Sequence, residues 1–141
     1  MTERTEVRFN VYNKTDSAIS GGNFIPFDVV DFNVGGLYDI STYKYTFLVA
    51  ETYIIGESHT KQQQGGEVRF RLERNGIMRA ISRFHNTNGF LNNTINSCLV
   101  YKFLVGDVLY CFTEFGFPKM NHFSYTTNDI YNSFWGIRLD Y

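Results

Sequence analysis

A chain of 141 residues is the length of one domain, and at that size about two-thirds of the unfolded surface can be buried, enough for an independent core. The net charge of -1 lacks the basic excess of a nucleic-acid binder, and no run of about 18 apolar residues exists to insert in a membrane as a helix. Charged residues make up 19%, below the usual share of about a quarter, while aromatics reach 18%; this balance points to a β-rich core and to some surface covered by a partner subunit.

Met1 to Glu6 are polar and charged and form no signal peptide. The chain is thus expected either to be cut from a larger protein or to leave its cell by another route, as a virion component does. Residues 1–5 read as a short polar tail on a single domain spanning 1–141. Alanine occurs only at Ala18, Ala50 and Ala80, whereas Asn, Ile, Tyr and Phe are plentiful. Such usage suggests an AT-rich coding sequence, which fits viruses and some bacteria.

In chain order, Glu6 to Asn13 sets Val7, Phe9 and Val11 against Arg8, Asn10 and Tyr12, the period of two of a half-buried strand. Lys14 to Asn23 is a loop. From Phe24 to Gly56 the residues are dominated by β-branched and aromatic types, which suit a pleated surface. Within it Gly35-Gly36 marks a turn or bulge, and Asp39 to Thr42 offers side chains that bond to nearby backbone. Tyr45, Phe47 and Val49 then share one apolar face.

Gln62 to Gly66 reads as a polar loop tip, and Glu67 to Phe84 as a hairpin about Asn75-Gly76. A simple two-residue loop sets Leu72 against Arg79; a bulge sets Leu72 against Ala80 and Val68 against Phe84. The bulged register buries more apolar surface and is the expected one. His85 to Thr94 is an Asn-rich loop. Asn96 to Leu104 and Val108 to Phe112 are expected to pair as a hairpin, with Cys98 and Cys111 on one face, offset diagonally, as two free buried thiols. Phe115 to Asn132 is irregular, and Asn132 to Tyr141 is the last strand. No helical period exceeds two turns. Many short strands separated by turns describe an all-β chain, a jelly-roll β-sandwich of two antiparallel sheets.

Several stretches together resemble the globular head of complement C1q and its tumour-necrosis-factor-like relatives. They are Pro26-Phe27, Gly36-Leu37-Tyr38-Asp39, Lys44-Tyr45-Thr46, Tyr53, Leu72 to Gly76, Val105-Gly106-Asp107-Val108, and Ser133-Phe134-Trp135-Gly136-Ile137. The resemblance runs from about residue 7 to 141. The chain departs from it at Ala50-Glu51, where relatives carry Pro-Gly, and at Phe47, where they often carry Cys. The loop from Phe115 to Tyr131 holds only Asp129, not the acidic cluster some relatives use for calcium, so no metal is expected.

The resemblance implies a homotrimer. In the last strand Trp135, Ile137, Leu139 and Tyr141 form a wholly apolar face, read as the core face. Phe134, Gly136, Arg138 and Asp140 lie opposite, where the matching positions of relatives meet at a three-fold axis. Ile54, Gly56, Phe134 and Arg138 are therefore the expected axis residues, with Tyr53 and Ile55 turned to the core and Arg138 pairing with Asp140 or a neighbour's carboxylate.

Other candidates come from the residues alone. Arg69, Arg71, Arg79 and Arg83 could form a patch for an anionic partner, or a solvated strand face balanced by Glu67 and Glu73. Asn86 to Asn96 and Gly116 to Asn128 have the Asn, Thr, Tyr, Phe and His content of binding loops. His59, His85 and His122 are scattered and accompany no nucleophile elbow, metal pair or phosphate loop, so neither a catalytic site nor a cofactor is expected. Asn13-Lys14-Thr15 and Asn92-Asn93-Thr94 are glycosylation sequons that an Asn-rich chain produces by chance.

The expected function is a non-enzymatic homotrimeric recognition or adhesion head, the terminal domain of a fibre, stalk or virion-surface protein. It would bind a cell-surface protein or glycan, without nucleic acid and without membrane insertion, outside the cell or on a virion. The alternatives are a structural trimerisation or capping module and a secreted signalling ligand. Solution mass separates the trimeric readings from a monomer.

Overall fold

The alternation of Val7, Phe9 and Val11 is realised as the first strand, and all three side chains are buried. A computed structural model describes residues 6–13, 17–18, 23–115, 119–120 and 133–139; at 17–18, 23, 59–73, 78–95, 97, 113–115 and 119–120 it describes the backbone alone. The strands are β1 (Arg8–Tyr12), β2 (Ser17–Ala18), β3 (Asn23–Phe24), β4 (Val29–Val34), β5 (Leu37–Asp39), β6 (Lys44–Thr46), β7 (Glu51–Arg74), β8 (Ile77–Phe103), β9 (Val108–Phe115), β10 (Lys119–Met120) and β11 (Ser133–Arg138).

The pairing runs β4-β1-β11-β7-β9-β6-β5, with β8 alongside β7, β3 on β9, and β10 between β2 and β7. All of these ladders are antiparallel. β7 is the element that joins the two layers. Its residues 53–58 pair with β11, and its residues 69–74 pair with β9. A first sheet, β4-β1-β11 with the start of β7 and the end of β8, thus faces a second, β5-β6-β9 with the end of β7 and the start of β8. This is the two-sheet jelly roll that the strand pattern implies.

The core between them is aromatic. Phe9 stacks on Tyr45 from the opposite sheet at 3.9 Å between centroids, and Phe47 stacks on Phe103 at 4.0 Å. Tyr53 and Phe134 meet these pairs edge-on. Each ring that leaves water completely contributes about 1.5–3 kcal/mol. Small residues permit this density. A side chain on Gly36 would collide with the Tyr45 hydroxyl, and one on Gly136 with the Phe9 ring and Ile55. The motif at 26–27 is a clamp: the Pro26 carbonyl accepts from Asn13 Nδ2 at 2.6 Å, and the Phe27 carbonyl accepts from the Tyr38 hydroxyl at 2.8 Å. Asn13 is 1% exposed, so the sequon it begins offers no accessible amide.

The bulged register of the β7–β8 hairpin is found: Leu72 pairs with Ala80 and Val68 with Phe84. It arises from a two-residue Asn75-Gly76 turn, both residues at positive φ, followed by a register shift one step inward.

Two expectations are corrected. Gln62 to Gly66 is not a loop tip and His85 to Thr94 is not a loop, because β7 and β8 stay paired through both stretches apart from one register shift between Gln64 and Gly66. The 96–112 hairpin also does not form. The turn at Leu104 to Asp107 bonds to Phe47 instead: Gly106 N donates to the Phe47 carbonyl at 2.8 Å, and Phe47 N donates to the Asp107 carbonyl at 2.9 Å. Held apart by this insertion, the end of β8 pairs with β7 in the first sheet and β9 enters the second. Cys98 is consequently exposed and Cys111 buried, and both thiols are free.

Candidate functional site

The side-chain period of two makes the facing of β11 an all-or-none matter. Phe134 is 0% exposed, 5.0 Å from the Phe9 ring and 5.8 Å from the Phe27 ring. Gly136 is buried beside it. The expected facing is therefore reversed: Phe134 and Gly136 line the core of the protomer, and Trp135 and Ile137 point outward. The fully apolar face formed with Leu139 is an outer face. Arg138 falls on the Phe134 side of the strand, paired with Tyr53. Burial pushes the Tyr53 hydroxyl pKa up and the nearby Arg138 guanidinium pulls it down. Asp140 lies outside the described residues.

The other two expected axis residues keep their direction. Tyr53 and Ile55 are in the core, so Ile54 and Gly56 face outward. Ile54 pairs with Ile137 and Gly56 with Trp135, whose indole lies where a Gly56 side chain would be. On β8, Val100 pairs with Ile54 and Cys98 with Gly56. Val100 is 58% exposed and Ile137 46%. Across β1, Phe32 of β4 pairs with Asn10, and the Arg8 guanidinium lies 4.9 Å from its ring centre. Phe32, Arg8, Asn10, Ser133, Trp135 and Ile137 border an open groove of about 540 Å³. The outer face of the first sheet thus carries an apolar strip crossing β11, β7 and β8, separated from Phe32 of β4 by Arg8 and Asn10 of β1. Sequence reasoning missed Trp135, Ile137, Val100 and Phe32. The missing signal was the pairing of Ile54 with Ile137, which no local pattern encodes.

At one end of the sandwich two of the motif stretches meet. Arg74 Nε donates to Asp107 Oδ2 at 2.7 Å, Asn75 Nδ2 donates to Asp107 Oδ1 at 2.9 Å, and Leu104 N donates to Oδ2 at 2.7 Å. Val108 N in turn donates to Asn75 Oδ1 at 2.7 Å. Burial raises the Asp107 pKa, but Arg74 and these donors outweigh it and hold the carboxyl below its ordinary value. Inside the core, burial and the neighbouring Glu57 push the Cys111 thiol well up, so it stays a neutral thiol.

Of the arginines, Arg69 pairs with Arg83 and Arg71 with Ile81, while Arg79 occupies the bulge; their side chains lie outside the described residues. So do the side chains of His59 and His85, and the whole of His122. The Asn86–Asn96 stretch is part of β8, and Gly116 to Asn128 lies outside the described residues except for β10. Among the described residues no cluster of three His, Cys, Asp or Glu could hold a metal, and no helix is long and apolar enough to cross a membrane.

No family model matches the sequence, and no curated protein does. Solved structures do. The globular domain of zebrafish complement 1qA protein superposes with a TM-score of 0.76 at 17% identity, over 95% of this chain and 98% of that one. Eiger TNF from S. frugiperda gives 0.76 at 10% identity, over 97% and 94%. Murine APRIL gives 0.72 at 8% identity, over 95% and 99%. Identities this low establish the architecture alone: the chain has the jelly-roll fold that these three structures share.

Proposed function

We propose that the protein is a non-enzymatic, homotrimeric recognition head, the terminal domain of a fibre, stalk or virion-surface protein, binding a cell-surface protein or glycan. The observation that carries this reading is the apolar outer face of the first sheet. Trp135, Ile137, Ile54 and Val100 sit on adjacent strands in direct register, two of them about half exposed. A contiguous apolar strip of this kind marks an interface. Covering it with a second and third copy also accounts for the low charged share of the chain. The three-fold axis is then lined by Ile54, Ile137 and Trp135, with Gly56 giving the indole its seat, and not by Phe134 or Arg138. Three weak ligand sites held on one trimer gain avidity without new contacts. The pairing of Arg69 with Arg83 concentrates basic residues on the second sheet and supports an anionic ligand.

The test is Ile137→Asp, alone and with Val100→Asp, sized beside the unaltered chain. The proposal expects folded protein at the mass of one chain. A variant that keeps the unaltered protein's oligomeric mass contradicts the assignment of this face.

A further inference from the structure

The second sheet holds a pocket that the assembly face does not explain. Phe24, Ser41, Thr42, Tyr43 and Lys44 line an open cavity of about 350 Å³, a volume suited to one or two sugar rings. The Lys44 ammonium lies 4.8 Å from the centre of the Phe24 ring and 5.5 Å from that of Tyr110. Phe24 stands edge-on to Tyr110 at 4.9 Å and to Phe112 at 5.6 Å, yet remains 37% exposed. Among the described residues no carboxylate pairs with Lys44. A cation is held over aromatic faces, and Asp39, its cross-strand neighbour, turns its carboxylate to Ser41 instead.

The turn that presents the pocket is strained. Tyr43 has φ +59°, a conformation that bulky residues rarely adopt and that glycine adopts freely. It is held there by its neighbours. Tyr43 N donates to the Asp39 carbonyl at 2.7 Å, and the Asp39 carboxylate accepts from Ser41 N and Oγ at 2.8 and 2.6 Å. Strain retained at a cavity wall, where glycine would remove it, indicates that the tyrosine side chain is what the position requires. One strand away, Arg71 is in register with Phe112, so the backbone of the arginine-bearing hairpin flanks the same region.

We propose that this pocket binds a carboxylate-bearing sugar of an acidic glycan. Lys44 receives the carboxylate, the Phe24 and Tyr43 rings receive the C–H face of the sugar, and the hydroxyl oxygens of Ser41, whose proton goes to Asp39, and of Thr42 accept from its hydroxyl groups. The proposal rests on the reading of the protein as a recognition head and supplies that head's ligand class.

The experiment titrates the chain with sialyllactose and, as the neutral control, lactose, by NMR, with oligomeric mass measured on the same sample. Saturable sialyllactose binding in the range of about 1 mM is expected, weakening with added salt, with lactose at least about tenfold weaker. Lys44→Gln removes the preference for the acidic sugar. Tyr43→Gly raises Tm because it relieves the backbone, yet lowers the affinity. Absence of saturable binding up to about 10 mM overturns the site, as does a Lys44→Gln variant that keeps the preference. A trimer that binds neither sugar overturns the pocket and leaves the assembly standing. A monomer that binds sialyllactose through Lys44 keeps the pocket and overturns the trimer.

Discussion

Arg74 Nε and Asp107 Oδ2 stand 2.7 Å apart and close one end of the sandwich, joining the β7–β8 turn to the turn between β8 and β9. The Asp107 side chain is 9% exposed and that of Arg74 18%, so the pair is shielded from water far more than a surface ion pair. Removing the carboxylate leaves Arg74, Asn75 Nδ2 and Leu104 N without their acceptor. Asp107→Ala is expected to cost about 2–4 kcal/mol in chemical denaturation.

The same pair sets an acid limb. The folded-state pKa of Asp107 lies below its ordinary 3.8, so its contribution is complete above that value and lost as the pH falls through the lower folded value. The Tm difference between the unaltered chain and Asp107→Asn should therefore shrink between about pH 5 and about pH 2. A difference that stays constant would show that Asp107 acts through packing and not through its charge.

Cys111 is 1% exposed in the core. Cys98→Ser leaves it as the single thiol, and that variant is expected to be inert to a thiol reagent when folded and to give one equivalent in denaturant. A thiol that reacts in the folded variant would place Cys111 at the surface.

Phe134 and Ile137 separate stability from assembly. Phe134→Ala opens a cavity among Phe9, Phe27 and Phe134's other core neighbours and should cost about 3–5 kcal/mol, read by denaturant unfolding. Ile137→Ala removes a half-exposed side chain; its effect on the stability of the single chain should be within about 0.5 kcal/mol, while dissociation of the oligomer becomes easier. Gly136→Ala, by contrast, forces a methyl against Phe9 and Ile55 and should destabilise by about 1–3 kcal/mol.

The sequence pattern revealed those strands whose two faces differ in chemistry. β1 alternates valine and phenylalanine with polar residues, so its core face was legible, whereas the inward facing of Tyr53 and Ile55 came from the resemblance and not from the pattern. In the β7–β8 hairpin, Asn75-Gly76 and the apolar sum of the two registers located both turn and bulge. β11 was misread for a physical reason. Its outer face, Trp135, Ile137 and Leu139, is more apolar than its core face, where Gly136 is small only because the Phe9 ring occupies the space. A strand whose outer face is also apolar gives no pattern that tells its two faces apart. The polar stretches Gln62 to Gly66 and Asn86 to Asn93 are extended through pairing with each other, a non-local cause that local composition does not carry. The pocket at Lys44 was hidden because its walls come from Phe24 and from a turn about 20 residues later, and the φ of Tyr43 is not a sequence property.

The most direct measurement is solution mass by light scattering on a sizing column, over a dilution series of the unaltered chain. One chain weighs 16.4 kDa. The outer face of the first sheet, if it is the contact between copies, gives a species of three times that mass that persists into the micromolar range. A single-chain mass at every concentration would contradict the trimer and leave Trp135, Ile137 and Val100 exposed for another partner.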